Sequence, residues 1–353
     1  MKRNLRFVLS QWRPQRDGVS DCVGQLAKAW GEAGCGGAEV VAWEGESVRL
    51  APAVAHAPTT IAWHVVPWAW HRRGLLGHVG ARLRRAFPEG ARDIYFHEVW
   101  LGEKPGLPLR QRFLGWMQRR SMQRAVRAWH PATVHTSNPV YAAALAAQGW
   151  SPQLLPLPSP VPIWAGEAPS ARARAWSRQA PEVLRVVVPF SLVTGWPVAA
   201  FVAALSRVLP EGKRRMAWLS VGAQGAGQAV WHALQQAAPQ DWSFVAWGPA
   251  EEAEISYVLQ VADVGLTTHS WSLLGKSSGA AAMRDHGLPV ICVHDPPETR
   301  RPVDGAAPSG LQAHRWAPGK EDAFNLWLRT RARQEPRSYA PSLARQLAQQ
   351  LAG

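Results

Sequence analysis

A histidine and a glutamate that are adjacent in the sequence could transfer a proton. His97 ends the predicted strand 93–97, and Glu98 follows it directly. An imidazole titrates near neutrality and can relay a proton, and a carboxylate can act as a base or position a hydroxyl group. Ionisable groups at the end of a strand in a parallel sheet tend to face a ligand crevice. We therefore expect His97 and Glu98 to be catalytic, the alternative being a chance pair on the surface.

A second polar segment could hold a diphosphate. It combines His269, one of the few lysines (Lys276), the hydroxyl pair Ser277-Ser278 and Gly279, directly before a helix of small residues. Helix N-terminal amides, hydroxyls and an ammonium group are the donors that bind phosphate oxygens. The alternative is a serine-capped helix with an unrelated lysine.

Two glycine-containing loops could bind the same ligand. Gly18 lies in the loop 13–21, and Thr194-Gly195 lies in the loop 190–197. A glycine before a helix lets backbone N–H groups face an anion, which the helix dipole also favours. We expect Gly18, Thr194 and Gly195 to bind the donor, although Asp17 or Asp21 could instead cap the helix after Gly18. The segment 222–227 matches a dinucleotide fingerprint only weakly, because no acidic ribose partner follows at the usual distance.

A polar turn is the candidate for the acceptor side. Thr136-Ser137-Asn138 precedes Pro139 and follows a short apolar run. These side chains could bind a hydroxyl-rich ligand, or Ser137 or Asn138 could cap the next helix.

The elements that must position these residues alternate between strand and helix. The predicted strands cover 4–10, 39–43, 59–66, 93–97, 133–136, 183–189, 215–221, 242–246, 263–267 and 289–293. The predicted helices cover 19–33, 111–129, 139–148, 197–208, 227–238, 251–261, 279–286 and 341–351. Such alternation predicts parallel sheets built from βαβ units.

The length and the proline distribution predict two domains. A chain of 353 residues exceeds the size of most single cores, and the segment 155–162 is rich in proline. We expect an α/β protein with two Rossmann-like doubly wound domains facing each other across a cleft. The acceptor-side domain would cover 1–160, a linker 161–181 and the donor-binding domain 182–336. A C-terminal helix, 337–353, would pack back on the first domain.

The formal net charge of +14 is concentrated in the first half of the chain. The segment 111–129 is an amphipathic helix pattern with arginines between apolar positions. Such a face is either simply solvated or attracts an anionic surface, of which a membrane fits best. Nucleic acid is the least favoured partner, because no zinc spacing, helix-turn-helix pattern or aromatic-basic RNA-binding signature is present.

The remaining composition predicts a cytoplasmic protein, peripheral at most to the inner membrane face. The sequence has no apolar run of eighteen residues and no signal-peptide pattern at its start. Its three cysteines are scattered, which is typical of ordinary thiols in a reducing compartment. No metal-ligand spacing occurs, so we predict neither a metal nor a cofactor.

Several of these segments together resemble GT-B glycosyltransferases of the retaining family 4 type. His97-Glu98 looks like their cleft-facing strand end, Thr136–Asn138 like their following turn, and 247–266 like the stretch before their donor site. The stretch 281–291, with Gly287 and Pro289, resembles their helix and Gly-x-Pro-Val strand start and is the most specific piece. The resemblance implies a metal-independent, hexosyltransferase-like enzyme of bacterial polysaccharide biosynthesis. Its substrates would be a nucleoside diphosphate sugar and a glycan, lipid-linked or other hydroxyl acceptor.

Two departures from the family pattern bear on the mechanism. The family usually has two glutamates with seven residues between them in this region, where Leu274 and Ala282 stand in this chain. The arginine and lysine that usually grip the diphosphate are absent from 190–197, and Lys276, Ser277 and Ser278 are the candidate replacements. The alternatives are a sugar-nucleotide epimerase and a scaffold that binds carbohydrate or a membrane surface without catalysis.

Overall fold

The computed structural model describes residues 2–14, 17–43, 47–189, 192–209, 212–222, 227–294, 296, 307–308 and 310–351. Within these residues the chain forms two compact units. One contains the residues up to Pro160 together with those from Tyr339 onward, and the other contains the residues between Val161 and Ser338.

The first unit is built on a mainly parallel sheet. Its strands are β1 (Asn4–Leu9), β2 (Ala38–Ala42), β3 (Ser47–Ala51), β4 (Thr59–Val65), β5 (Ala91–Phe96), β6 (Thr133–Thr136) and β7 (Pro152–Leu154). Their order is β3-β2-β1-β4-β5-β6-β7, and among the pairs only β2–β3 is antiparallel in the described residues. The strand order reverses between β1 and β4, which is where ligands bind in doubly wound folds.

Helices cover both faces of this sheet. They are α1 (Gly18–Glu32), α2 (Pro67–Trp70), α3 (Val79–Ala86), α4 (Leu109–Trp129), α5 (Pro139–Ala146) and, at the far end of the chain, α12 (Ala340–Gln350). Alternate residues of β1 divide between two cores, since Phe7 packs with α1 and α12 while Val8 packs with α3 and α4. The helix α12 buries Leu343, Ala344 and Leu347 in the α1 core.

The second unit repeats the pattern with a wholly parallel sheet. Its strands are β8 (Val183–Pro189), β9 (Arg215–Val221), β10 (Ser243–Gly248), β11 (Val264–Thr267), β12 (Val290–Cys292) and β13 (Ala313–Arg315). Its helices are α6 (Ala171–Ser177), α7 (Val198–Arg207), α8 (Gln228–Ala237), α9 (Glu252–Val261), α10 (Ser278–Asp285) and α11 (Glu321–Thr330), with a 3₁₀ helix at Trp271–Lys276. The order β10-β9-β8-β11-β12-β13 reverses between β8 and β11. The two units therefore confirm the predicted α/β class with Rossmann-like strand order.

The segment 161–181, which we predicted to be a linker, contains a helix and packs on the second unit. Val161 and Trp176 are buried in the core of the second unit, and α6 forms within the segment. The side chain of Ser170 caps α6 by accepting from the N–H of Ala173. Alanine and arginine favour a helix once the start is capped, which composition alone did not reveal.

No helix within the described residues is both long and apolar enough to cross a lipid bilayer.

Candidate functional site

In the second unit, three loops meet at the crevice where the strand order reverses. The loop after β8 joins the loop after β11 through a 2.7 Å hydrogen bond from the Val193 N–H to the Thr268 Oγ1. Gly195 has a φ of +95°, and a side chain added there would lie 3.7 Å from the His294 ring that follows β12. The backbone of Gly195 thus requires glycine, and both Thr194 and Gly195 are exposed beside the crevice.

The imidazole of His269 lies among cationic groups at this crevice. Burial, together with the neighbouring Lys276 and His294, lowers the pKa of His269 to about 4. His269 is therefore neutral at neutral pH. The backbone carbonyl of His269 accepts from the Cys292 thiol at 3.1 Å, which ties the loop to β12. The cluster of Lys276, His269 and His294 is suited to an anionic ligand.

The helix α10 starts directly beside this cluster. The Ser277 hydroxyl accepts from the Ala280 N–H at 3.2 Å and is therefore the N-cap, and it lies 3.4 Å from the His269 Nδ1. Ser277 is 2% exposed, so its hydroxyl serves the helix rather than a ligand. The part of this motif best suited to a phosphate is thus the first turn itself, at Ser278 and Gly279, together with Lys276.

The two positions at which the resemblance would place glutamates are part of the apolar core. Leu274 is 1% and Ala282 is 0% exposed, and both pack in the core that contains Val290 and Met283. A carboxylate at either position would be desolvated here. The second unit therefore has no carboxylate at these two positions. The groups at this crevice that could contact a donor are Lys276 and the backbone N–H groups of the first turn of α10.

In the first unit, His97 lies at the end of β5 in a row of buried polar rings. Its Nε2 is 2.8 Å from the Nδ1 of His64 on β4. The Tyr95 ring stacks on the His64 ring with centroids 5.3 Å apart, and its hydroxyl donates to the Leu155 carbonyl. On β6, His135 Nε2 is 3.2 Å from Asp93 Oδ2. We call these five residues the histidine row, formed by Asp93, Tyr95 and His97 of β5 and its end, His64 of β4 and His135 of β6.

Burial sets the protonation of this row. Burial lowers the pKa of His64 well below 6.5, and His97 and His135 add to the effect. Burial also raises the pKa of Asp93, against the opposing influence of His135. His64 is thus a neutral imidazole at neutral pH. His97 is 6% exposed, so only a small part of the residue reaches the surface.

Glu98 and Gly18 occupy strand-end loops of the same unit. The N–H groups of His97 and Glu98 both donate to the Val65 carbonyl, at 3.0 and 3.3 Å, so the chain turns as β5 ends. Glu98 is half-buried. Gly18 begins α1, and Asp17 accepts from the Val19 N–H, which makes Asp17 the helix cap that the sequence offered as an alternative.

The predicted acceptor turn is internally hydrogen-bonded. Thr136 Oγ1 donates to the Phe96 carbonyl at 3.0 Å, and Asn138 caps α5 by accepting from the Tyr141 N–H at 3.0 Å. Thr136, Ser137 and Asn138 are at most 3% exposed. The capping alternative therefore holds for Asn138, and side-chain contacts from these three residues to an acceptor stay a prediction.

Sequence reasoning missed His64, His135, Thr268 and His294. Each imidazole stands within two residues of the carboxyl end of a strand. A search for histidines at strand ends would have found all three, whereas Thr268 has no signal beyond its position after β11. The loop residues Phe190 and Ser191, and residues 223–226 of the weak fingerprint, lie outside the described residues. Among the described residues, no group of three or more His, Cys, Asp or Glu side chains could hold a metal ion.

Comparisons with known proteins identify the fold. No family model matches the chain, and no curated protein matches its sequence. Among solved structures, HepE of Anabaena in complex with UDP and glucose matches at 13% identity and a TM-score of 0.51, over 99% of both chains. A putative UDP-N-acetylglucosamine 2-epimerase from Listeria monocytogenes matches at 9% identity and a TM-score of 0.48, over 98% of this chain and 95% of that one. The catalytic domain of starch synthase IV from Arabidopsis thaliana, bound to ADP and acarbose, matches at 12% identity and a TM-score of 0.48, over 82% of each chain.

The match to HepE, at a TM-score of 0.51 and 13% identity, shows a shared fold alone, and the assignment to family 4 does not follow from it. The likeness to HepE extends over the whole chain and includes both Rossmann-like units. The chain has the GT-B fold.

Proposed function

We propose that this protein is a glycosyltransferase that binds a nucleoside diphosphate sugar in its second unit. The observation that carries the proposal is the crevice between β8 and β11, where the loop after β8 is hydrogen-bonded to the loop after β11 and where Lys276 and His294 lie close enough to His269 to lower its pKa. Amides at a helix N-terminus and an ammonium group stabilise a diphosphate, both when it is bound and when it leaves. The structure of HepE, which holds UDP and glucose, further supports the interpretation as a glycosyltransferase.

The donor would contact these groups through its phosphates. Lys276 would neutralise phosphate charge, Ser278 and Gly279 would donate backbone N–H groups, and Thr194 and Gly195 would close on the opposite side. His269 would serve as a neutral hydrogen-bonding group, because its pKa lies near 4. Ser277 would contribute by capping the helix that presents these N–H groups. Gly18, in the first unit, stays a predicted donor-binding residue.

The acceptor would bind to the first unit near His97 and Glu98. The turn Thr136–Asn138 would hold the end of β5, which precedes these two residues, in place. In transfer, the acceptor hydroxyl forms a new bond to the anomeric carbon and the bond from that carbon to the diphosphate breaks. The hydroxyl proton passes to the leaving diphosphate if configuration is retained, or to His97 or Glu98 if it is inverted. We propose transfer without a bound metal, with Lys276 and the α10 amides opposing the charge of the leaving group.

We further propose that the first unit docks on an anionic membrane surface through α4. Leu109, Phe113 and Trp116 follow one another along one side of the helix and are 76%, 60% and 45% exposed. The same helix carries six arginines and no acidic residue, as its sequence shows: Arg110, Arg112, Arg119, Arg120, Arg124 and Arg127. Exposed aromatic rings beside arginines fit the boundary between lipid headgroups and acyl chains. A lipid-linked acceptor would be reached from such a surface.

Isothermal calorimetry with UDP, GDP, ADP and CMP tests the donor proposal. Saturable binding of one nucleoside diphosphate would support it, and incubation with the matching sugar nucleotides would then show transfer by release of that diphosphate in the presence of an acceptor. Turnover of the sugar nucleotide without an acceptor would point instead to an epimerase. Failure of every nucleotide to bind would contradict the proposal and favour a non-catalytic scaffold.

A further inference from the structure

The turn that follows α2 carries three consecutive polar side chains that the proposed reaction does not use. His71, Arg72 and Arg73 come directly after this short helix. They belong to the connection after β4, whose carboxyl end lies at the reversal of strand order between β1 and β4. Connections at such a reversal are where doubly wound folds bind their ligands.

Four hydrogen bonds hold His71 in this turn. Its backbone N–H donates to the Pro67 carbonyl at 3.1 Å, and its own carbonyl accepts from the Gly74 N–H at 2.7 Å. Its ring Nδ1 accepts from two further backbone N–H groups, those of Arg73 and Leu75, each at 3.2 Å. The backbone of the turn is therefore closed around the imidazole.

These contacts determine the tautomer of His71. A backbone N–H can only donate, so the ring nitrogen that meets two of them must carry the lone pair. The ring proton of the neutral imidazole is then on Nε2. His71 is half-buried, and no acceptor among the described residues is hydrogen-bonded to this Nε2–H.

Gln118 of α4 fastens the turn to the rest of the first unit. Its Nε2 donates to the Arg73 carbonyl at 2.8 Å, its Oε1 accepts from the Leu101 N–H at 2.9 Å, and the residue is 1% exposed. Gly74 has a φ of +65°, and a Cβ added there would lie 2.8 Å from Gln118 Nε2. The turn is thus held through its backbone, while Arg72 and Arg73 are exposed.

The positive charge of this turn is not balanced by its surroundings. No aspartate or glutamate occurs between positions 47 and 88 of the sequence, and α4, which contacts the turn through Gln118, has none either. Within the part of the chain that the structure describes, Arg72 and Arg73 form no ion pair. The turn therefore presents two guanidinium groups and one imidazole N–H to an anion.

We propose that the turn His71–Arg73 binds the phosphate group of a phosphorylated acceptor. A guanidinium group can donate two parallel hydrogen bonds to phosphate oxygens, and the Nε2–H of His71 adds one more donor. A terminal phosphate group has three oxygens and enough negative charge to engage all three side chains, whereas a carboxylate has two oxygens and a single charge.

The link to the acceptor rests on the proposed function, whereas the binding of phosphate does not. The N–H groups of His97 and Glu98 donate to the carbonyl of Val65, the last residue of β4. The turn begins six residues after Val65, and the Trp70 indole N–H ties the intervening helix back to the His64 carbonyl at 3.0 Å. The proposed phosphate site thus belongs to the strand end at which the acceptor hydroxyl is proposed to bind.

Nuclear magnetic resonance of protein labelled with ¹⁵N-histidine tests the turn and its ligand together. We expect the neutral His71 ring to carry its proton on Nε2. Glucose 1-phosphate or dihexanoylphosphatidic acid should shift this resonance saturably, and the one that does so identifies a sugar-borne or a lipid-borne phosphate. His71→Asn, which keeps an acceptor for the turn, assigns the signal. A proton on Nδ1, or no shift with either ligand, would overturn the proposal.

Two matched pairs of substitutions separate a built site from general attraction of anions. Arg72→Gln with Arg73→Gln should raise the Kd of the phosphate ligand at least about tenfold, because hydrogen bonds to two charged groups are lost. Arg84→Gln with Arg85→Gln removes the same charge from exposed positions of α3 and should change the Kd less than about twofold. Equal weakening by the two pairs would show attraction by net charge alone and refute the site.

The result at His71 does not depend on the donor. If the wild-type protein binds no nucleotide and the His71 resonance still shifts with a phosphate ligand, the proposed function fails and the phosphate site stands. If the wild-type protein transfers sugar while neither ligand shifts the resonance, the phosphate site fails and the proposed function stands.

Discussion

At the scale of the residue, Lys276 is the side chain on which the proposed donor site depends most directly. We expect Lys276→Ala to raise the Kd of the bound nucleoside diphosphate about 10- to 100-fold, because a hydrogen bond to a charged group contributes about 1.5–3 kcal/mol. Calorimetry measures this change, and Lys320→Ala, an exposed lysine of the same unit, is the matched control. The same variant should raise the pKa of His269 from about 4 in ligand-free protein, since Lys276 lowers that pKa. An unchanged Kd would refute the assignment of the diphosphate site.

Helix caps could be predicted from the sequence, whereas side-chain contacts between strands could not. The caps formed by Asp17 and Asn138 were among the stated alternatives, because a capping side chain and its target are only two or three residues apart. The contact between His64 and His97 spans 33 residues and depends on the register of β4 against β5. That register is fixed by the packing of both sheet faces, which no local pattern encodes.

At the scale of the element, the predicted helices and strands have their observed bounds within about two residues, whereas the helices α3 and α11 were not predicted. The helix α4 was recognised from its 3.6-residue period and in fact begins at Leu109, two residues earlier than expected. The strands β7 and β13 were missed, because they are three residues long and, unlike β12, have no continuous apolar run. The strand β3 was missed as well, and its exposed alternate residues reflect its position at the sheet edge.

The same helix carries the prediction that is tested with lipid. We expect the protein to sediment with vesicles of phosphatidylcholine and phosphatidylglycerol, and only weakly with phosphatidylcholine alone. Phe113→Ala with Trp116→Ala should reduce the partition coefficient at least about tenfold, because both exposed rings lose apolar area that the interface would bury. Leu326→Ala removes a 65% exposed side chain from the second unit and should have no effect. Equal binding to neutral vesicles, or tighter binding to RNA than to anionic vesicles, would contradict the membrane proposal.

At the scale of the whole molecule, acid should begin to destabilise the fold at a pH above the range in which ordinary carboxylates are protonated. His286 is fully buried. Its Nδ1–H donates to the Ala282 carbonyl, and its Nε2 accepts from the Ser256 hydroxyl. Both hydrogen bonds require the neutral imidazole. Burial lowers the pKa of His286 to about 4. Between about pH 6.5 and pH 4 the unfolded chain binds a proton that the folded chain does not, so the free energy of unfolding falls as the pH falls.

The lowered pKa of His286 corresponds to a loss of free energy of unfolding on the order of 3 kcal/mol, since each pKa unit corresponds to about 1.4 kcal/mol. His269 and His64 act in the same direction, whereas the raised pKa of Asp93 acts in the opposite one. Urea unfolding at pH 7 and pH 4.5 measures the effect. His286→Gln should be less stable at pH 7 but lose less on acidification, and an unaltered pH dependence in this variant would show that His286 is not the group responsible.

The position of α12 has a consequence for the order in which the chain folds during synthesis. The helix completes the core beside α1, yet it is translated only after the whole second unit. The second unit can therefore acquire its native structure on the ribosome, while the first unit waits with the surface of α1 around Leu26 uncovered. At roughly 5–20 residues per second, the approximately 180 residues between Pro160 and Tyr339 take on the order of ten to forty seconds to synthesise. During that interval the nascent first unit presents an apolar surface that a chaperone would recognise.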